Sequence, residues 1–387
     1  MYLIGIDISK YKHNCFIATE ADVVIKEFVF DNNSTGFKEF LDVLKLLDQS
    51  KEIRIGLEST GHYGNNLKHF ITASGFTYLE FNPLKVHYFA LASSPQRAKT
   101  DKIDARLISK MLGSVDYKTL HSRFYHINEL KELTRQRDNL ITGRSRCLVS
   151  LTTHLDSYFP EFKPFFNNKF SETSLFILKT FKTRNKISNL TNIHFEKLRC
   201  LSKGKFTYPK FRTLKSLAAN SVGLPSNSKE FLITLDIKRY YNLVLEIEEL
   251  ESKILSLMSN IDTKLKTIKN FSVFSIATII GEIGNIDRFN SPEKLIAYAG
   301  LSISVSQSGL VEHRGKIVKR GSSLLRKTIW NLALPSVKLM PIMNDYYHKK
   351  RLEGKHHKVA LTQICRKLLR MIYKIESSNV DFNLYTQ

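Results

Sequence analysis

Between Tyr2 and Phe30 the chain carries three short runs with the alternation of β-strands: Tyr2–Lys10, Cys15–Thr19 and Val23–Phe30. Their connections are short enough for an antiparallel meander, which commits the N-terminal region to a sheet. After Asp31-Asn32-Asn33, Ser34 reads as a helix cap, with Phe37, Phe40, Leu41, Leu44 and Leu47 holding the 3.6-residue period behind it. Ile53–Glu58 is then a strand, His62–Ala73 a helix with Gly75 just past its end, and Thr77–Phe81 another strand. Three hairpin strands followed by helix, strand, helix, strand and helix describe an α/β domain whose first strand is central.

That layout places candidate chemistry. Ligands of open α/β sheets collect near the carboxyl ends of strands. Asp7 in the central strand and Glu58 at the end of its neighbour therefore point toward one crevice. Within Ala98-Lys99-Thr100-Asp101-Lys102-Ile103-Asp104-Ala105-Arg106, a helix capped by Thr100 sets Asp101 and Asp104 at i and i+3, about 5–6 Å apart at Cβ. Carboxylates this close repel unless a cation lies between them, and Mg²⁺ (or Mn²⁺) suits hard oxygen ligands. Each acid alone has a plainer explanation, because acidic residues in a first helical turn favour the dipole and a strand Asp can cap a turn. Taken together, Asp7, Glu58, Asp101 and Asp104 form a candidate catalytic metal site on a ribonuclease-H-like α/β domain.

Composition narrows the partner. Lys+Arg total 59 against 36 Asp+Glu, a formal charge of +23, and such an excess implies a polyanion, most commonly nucleic acid. No apolar run reaches the length of a bilayer span, so no membrane partner is expected. Met1-Tyr2-Leu3-Ile4-Gly5-Ile6-Asp7 lacks the basic and long apolar regions of a signal peptide, and a cytoplasmic protein is expected. Cys15, Cys147, Cys200 and Cys365 have no Cys-x-x-Cys spacing and the histidines no metal-ligand spacing, so neither disulfides nor a transition-metal site are expected.

Beyond residue 112 the texture becomes helical. Leu130, Leu133, Leu140, Cys147, Leu151 and Leu155 recur along one long segment. Tyr240, Leu243, Ile247, Leu250, Ile254, Leu257 and Ile261 alternate steps of three and four, which suits a coiled coil or an amphipathic helix pair serving as spacer or dimerisation element. Between them, residues 156–228 interleave Phe with Lys, as in Tyr158-Phe159-Pro160-Glu161-Phe162-Lys163-Pro164-Phe165-Phe166. A helical insert explains most of the aromatics, with RNA contact left to the lysines. In the last region Phe274–Ile283 is an apolar helix, Ser291-Pro292-Glu293 starts another, and Ser302–Arg320 is a polar loop. That loop holds Ser304, Ser306, Ser308 and the cations Arg314, Lys316, Lys319 and Arg320. A serine among cations could attack a phosphodiester, but Ser308-Gly309 also fits a simple turn. Expected domains are 1–122 (α/β, acidic site), 123–268 (helical, with the aromatic-basic insert) and 269–387 (mostly α, serine loop).

Gly5-Ile6-Asp7, Glu58-Ser59-Thr60-Gly61 and Lys99-Thr100-Asp101-Lys102-Ile103-Asp104-Ala105, followed in order by Phe289, Leu295–Gly300, Ser308-Gly309, Arg314-Gly315, Lys319-Arg320-Gly321 and Leu325-Arg326, resemble a known family. These are the transposases of insertion-sequence family one hundred and ten, with a DEDD, RuvC-like N-terminal domain and a serine-bearing C-terminal domain. The resemblance implies DNA strand cleavage and rejoining guided by a structured (bridge) RNA that pairs with donor and target DNA. It implies that Asp7, Glu58, Asp101 and Asp104 hold Mg²⁺ (or Mn²⁺), that Ser308 is the nucleophile, and that the site assembles between subunits of a homodimer or homotetramer. Lys99, Lys102, Arg106, Arg314, Lys316, Lys319 and Arg320 are then the expected nucleic-acid contacts. Two departures are visible: where many relatives carry a Pro-Gly-Ile-Gly hairpin, this chain reads Asn270-Phe271-Ser272-Val273-Phe274-Ser275, and its Phe- and Lys-rich middle is longer than the family pattern implies.

Three other functions fit parts of the sequence. One is a metal-dependent Holliday-junction-type nuclease without serine chemistry. Another is an actin-like or sugar-kinase ATPase, whose fold also opens with Gly5-Ile6-Asp7-Ile8-Ser9 but needs a later glycine-rich phosphate loop that is not found. The third is a non-enzymatic nucleic-acid binder.

Overall fold

β1 (Tyr2–Ile8) is buried from Leu3 to Ile8 because helices cover both of its faces. In the computed structural model it pairs antiparallel with β2 (Lys12–Thr19) and parallel with β4 (Ile53–Glu58), giving the sheet order β3-β2-β1-β4-β5 with β3 at Val24–Asp31 and β5 at Tyr78–Phe81. The structure describes residues 1–58, 62–81, 86–87, 89–90, 101–113, 125–166, 170–308 and 311–382, with backbone alone at 101–102, 125–126, 304–308 and 311–316. Two compact units result, Met1–Phe124 and Tyr125–Gln387.

In the first unit, Ile4, Ile6, Ile8, Cys15, Ile17, Ile55 and Leu57 form one sheet face. They pack under α1 (Ser34–Lys45) and α2 (Asn65–Ala73) through Phe37, Phe40, Leu44, Leu67 and Ile71. Full burial of each such side chain contributes about 1.5–3 kcal/mol, which fixes the strand register. The cap of α1 differs from expectation: Asn33, not Ser34, is extended at φ −151° and its side chain accepts the Gly36 N–H at 2.9 Å. Asn, through its amide oxygen, and Ser, through its hydroxyl, can both accept this capping bond, so the sequence left the choice open by one residue. The opposite sheet face is covered by α3 (Asp101–Gly113).

In the second unit, α4 (Tyr125–Tyr158) and α5 (Asn227–Ser259) are antiparallel. The pairings run in opposite directions along the two helices, from Arg137 with Glu251 (2.6 Å), through Gly143 beside Leu243, to Cys147 donating to the Asp236 carbonyl (3.0 Å). The seam of α5 thus meets α4 of the same chain. Short helices between Phe162 and Ala219 form a second core with Leu151 and Leu155 of α4 and Ile233 and Ile237 of α5, in which Phe159, Phe162, Phe181, Phe195, Phe206 and Phe211 are buried, so these aromatics are structural. The main core joins α4 and α5 to α6 (Val273–Ile283), α7 (Pro292–Tyr298), α8 (Ser323–Leu339), α9 (Pro341–Leu352) and α10 (His357–Ser378).

The segment expected as a polar loop over Ser302–Arg320 is instead a β-hairpin, β6 (Ile303–Ser308) paired antiparallel with β7 (Val311–Ile317). Ile303 and Val305 alternate with Ser304 and Ser306, a period-two signal that the high Ser, Lys and Arg content obscured. At the first departure noted above, Ser272 caps α6 by accepting the Ser275 N–H at 3.2 Å, which occupies that helix start with a protein group. Among the described residues no helix is long and apolar enough to cross a membrane.

Candidate functional site

The absence of a side chain at Gly5 positions the candidate acids. A Cβ there would stand 2.1 Å from the Ala105 carbonyl oxygen and 2.4 Å from the Ser109 nitrogen, so α3 lies on β1 more closely than any side chain would allow. Ser109 secures the contact by donating its hydroxyl to the Leu3 carbonyl at 3.0 Å. Gly56 on β4 opens the same face to Ile108 and Leu112.

These contacts set direction. From Leu3 to Gly5 along β1, the facing helix runs backward from Ser109 to Ala105, so the N-terminal turn of α3 lies at the carboxyl end of the sheet. Asp7 is two residues beyond Gly5, and Glu58 two beyond Gly56, so by the strand period both share the face that α3 covers. The register supports this, since Gly5 pairs with Gly56 and Ile6 with Leu57. Asp7 is 8% exposed, and Glu58 and Asp104 are half-buried. Asp7, Glu58 and Asp104 thus reach one end of one sheet face. Asp101 opens α3, and its side chain is outside the described residues.

Among the described residues no three His, Cys, Asp or Glu side chains gather as a metal-binding group. As donors, however, the three placed acids are all carboxylates, which is the hard-oxygen chemistry that suits Mg²⁺ or Mn²⁺ and not a softer ion.

The expected cations are scattered more widely. Lys99 lies outside the described residues, as does the side chain of Lys102. Arg106 is exposed, with its guanidinium 4.8 Å from the Phe16 ring centroid. In the second unit, Ser308 ends β6 opposite Val311, at the tip of the hairpin, and Arg314 pairs with Val305. The side chains of Ser304, Ser306, Ser308, Arg314 and Lys316 are outside the described residues, while Lys319 and Arg320 follow β7 and are exposed.

The base of this hairpin is held tightly. The Val318 N–H donates to Ser302 at 2.9 Å and the Ser322 N–H to Tyr298 at 2.8 Å. Arg326 donates to the Ala299 carbonyl (3.1 Å) and the Lys319 carbonyl (3.3 Å), bridging the chain before the hairpin to the chain after it. Gly300 (φ +68°) and Gly321 (φ +133°) leave room for this, since a Cβ would stand 2.3 Å from Arg326 Nη1 in the first and 2.1 Å from the Tyr298 oxygen in the second. Sequence reasoning missed Glu282, whose buried carboxylate meets Arg135 and Ser322 beside this base. The signal available was a single acid in the otherwise uncharged run Val273–Ile283.

Comparison with known proteins accounts for both regions. Residues 4–160 match the model of the IS110-type DEDD transposase, and residues 262–348 match that of the transposase IS116/IS110/IS902 family. The insertion element IS900 42 kDa protein of Mycobacterium paratuberculosis is 21% identical over 383 residues, covering 95% of this chain and 94% of the relative. The pilin gene-inverting proteins of Moraxella bovis and Moraxella lacunata are each 22% identical over 384 residues, covering 98% of this chain and 97% of the relative. With one family matched in order at both ends, the chain belongs to the IS110 family of DEDD transposases, enzymes that act on DNA and depend on divalent metal.

Proposed function

We propose that this transposase cleaves and rejoins DNA strands during insertion-sequence transposition, using Asp7, Glu58, Asp101 and Asp104 on a ribonuclease-H-like domain to hold Mg²⁺ or Mn²⁺ and Ser308 as nucleophile. The observation that carries the metal half is the close approach of α3 at Gly5, which brings Asp104 to the end of the sheet face shared by Asp7 and Glu58. The bound ion would neutralise charge building on the reacting phosphate. The serine half is supported by the place of Ser308 at the tip of a hairpin with a tightly bonded base. In the proposed step the Ser308 hydroxyl gives up its proton and attacks phosphorus. The bond from phosphorus to one strand's oxygen breaks, and that strand leaves with a free hydroxyl. The resulting phosphoserine diester keeps the bond energy for rejoining, when a strand hydroxyl displaces the serine.

The partners in this reading are donor and target DNA, together with a structured guide RNA. The +23 charge supports polyanionic partners, and Lys99, Lys102, Arg106, Arg314, Lys316, Lys319 and Arg320 are the proposed contacts. The Moraxella relatives are named for inverting a pilin gene, which supports rejoining as well as cutting. We further propose that the active form is a homodimer or homotetramer in which acids and serine from different copies meet on one DNA strand.

Strand exchange on a circular-element junction tests the metal half. Asp7→Asn, Glu58→Gln, Asp101→Asn and Asp104→Asn should each abolish cleavage while leaving salt-sensitive DNA binding largely intact. Full cleavage by these variants, or full cleavage in EDTA, would overturn it.

A further inference from the structure

We propose that Glu282 is a positioning residue for the serine hairpin, tying the hairpin's exit to the long helix α4 through Arg135; this rests on the proposed role of Ser308. Glu282 is 1% exposed and is the sole charge in α6. Its carboxylate receives the Arg135 guanidinium on both oxygens, at 2.6 and 3.1 Å. The oxygen that takes the longer of these bonds also accepts the Ser322 hydroxyl at 2.7 Å. Ser322 in turn caps α8 by accepting the Leu325 N–H at 3.0 Å. The hydroxyl proton is thus committed to Glu282 and the oxygen lone pair to the helix.

The main chain of Glu282 joins the same collar, since its carbonyl accepts the Tyr298 hydroxyl at 2.9 Å. Tyr298 and Ser322 flank the hairpin on its two sides and are themselves bonded through the Ser322 N–H. One buried acid therefore fixes the point where the hairpin ends and α8 begins, and fixes it to α4. Bidentate pairing makes the arrangement directional as well as strong, because the Nε–Nη2 edge of the guanidinium must face both carboxylate oxygens at once. Arg135 is half-exposed on α4, the helix that carries the aromatic-basic insert at its far end, so displacement of that helix reaches the hairpin through this contact.

The test uses the full-length chain with Glu282→Gln, Arg135→Gln and the double variant. The double leaves no buried unpaired charge, so it carries the test if either single variant fails to fold. Expected is a rise of about tenfold in hydrogen exchange at the Val318 and Ser322 amides with the interior of α10 unchanged. Expected with it is a fall of about tenfold or more in single-turnover strand cleavage at saturating DNA, with DNA affinity within about threefold of the parent. The loss in the double variant should not exceed the larger single loss, since both remove one contact. Unchanged exchange at these amides, or losses that multiply in the double variant, would overturn the proposal. If Ser308→Ala cleaves and rejoins normally, the serine reading fails, whereas the exchange measurement still decides whether Glu282 holds the hairpin.

Discussion

A Cβ placed on Gly5 would stand 2.1 Å from the carbonyl oxygen of Ala105, closer than any two such atoms approach. The contact is backbone to backbone, so no rotamer change relieves it, and alanine at this position must lift α3 from the sheet. Gly5→Ala should therefore cost about 1–3 kcal/mol or more. Gly56→Ala should cost less, because its Cβ would meet side chains of Phe81, Ile108 and Leu112 at 2.9, 3.0 and 3.0 Å that can turn aside. Urea denaturation of the two variants checks the order. An equal or smaller loss at Gly5 would contradict the packing described for α3.

His13 predicts an acid-sensitive contribution to stability. It is fully buried beside Phe30 and Phe37, with ring centroids 5.2 and 6.2 Å away. Burial lowers its pKa from the ordinary 6.5. The native ring stays neutral while the unfolded chain titrates normally. Stability is therefore complete above the unfolded value and drains as pH falls below it toward the depressed native value. Comparing urea midpoints at about pH 7.5 and about pH 5.5, the parent should lose more stability than His13→Leu. Identical acid dependence in the two proteins would refute the assignment.

Cysteine reactivity should divide cleanly. Cys15, Cys147 and Cys365 are buried and Cys200 is exposed. Burial pushes the Cys15 thiol far above its ordinary range and the Cys365 thiol up to about 12, so neither is a thiolate near neutral pH. Burial also raises the Cys147 thiol, with the Asp236 carboxylate adding to it. Mass spectrometry after brief maleimide treatment should find Cys200 modified in the native protein and all four cysteines modified in urea. Rapid native labelling of Cys15 or Cys365 would contradict the described core.

Much of this was legible from residues alone. The meander, Ile53–Glu58 and the long helices follow from apolar period, because burial on one face writes that period into the chain. For Asp7, Glu58 and Asp104 topology alone gave the placement, since their strand and helix positions lead to one end of the sheet. What was hidden depends on distant contacts. Ser302–Arg320 looks like a loop because its strands are polar, and its hairpin is closed by Arg326 and Tyr298, residues outside the segment. Glu282 was hidden for the same reason, because Arg135 lies 147 residues away in sequence.

The central claim, a serine nucleophile acting with an acidic metal site, is most directly tested by mapping the covalent link. The transposase is incubated with junction DNA and Mg²⁺, denatured and digested, and peptides carrying a nucleotide remnant are sequenced by mass spectrometry. The account predicts the remnant on Ser308, lost in Ser308→Ala and in Asp104→Asn and absent without divalent metal. Wild-type strand exchange by Ser308→Ala, or a remnant on another residue such as Ser304 or Ser306, would contradict it.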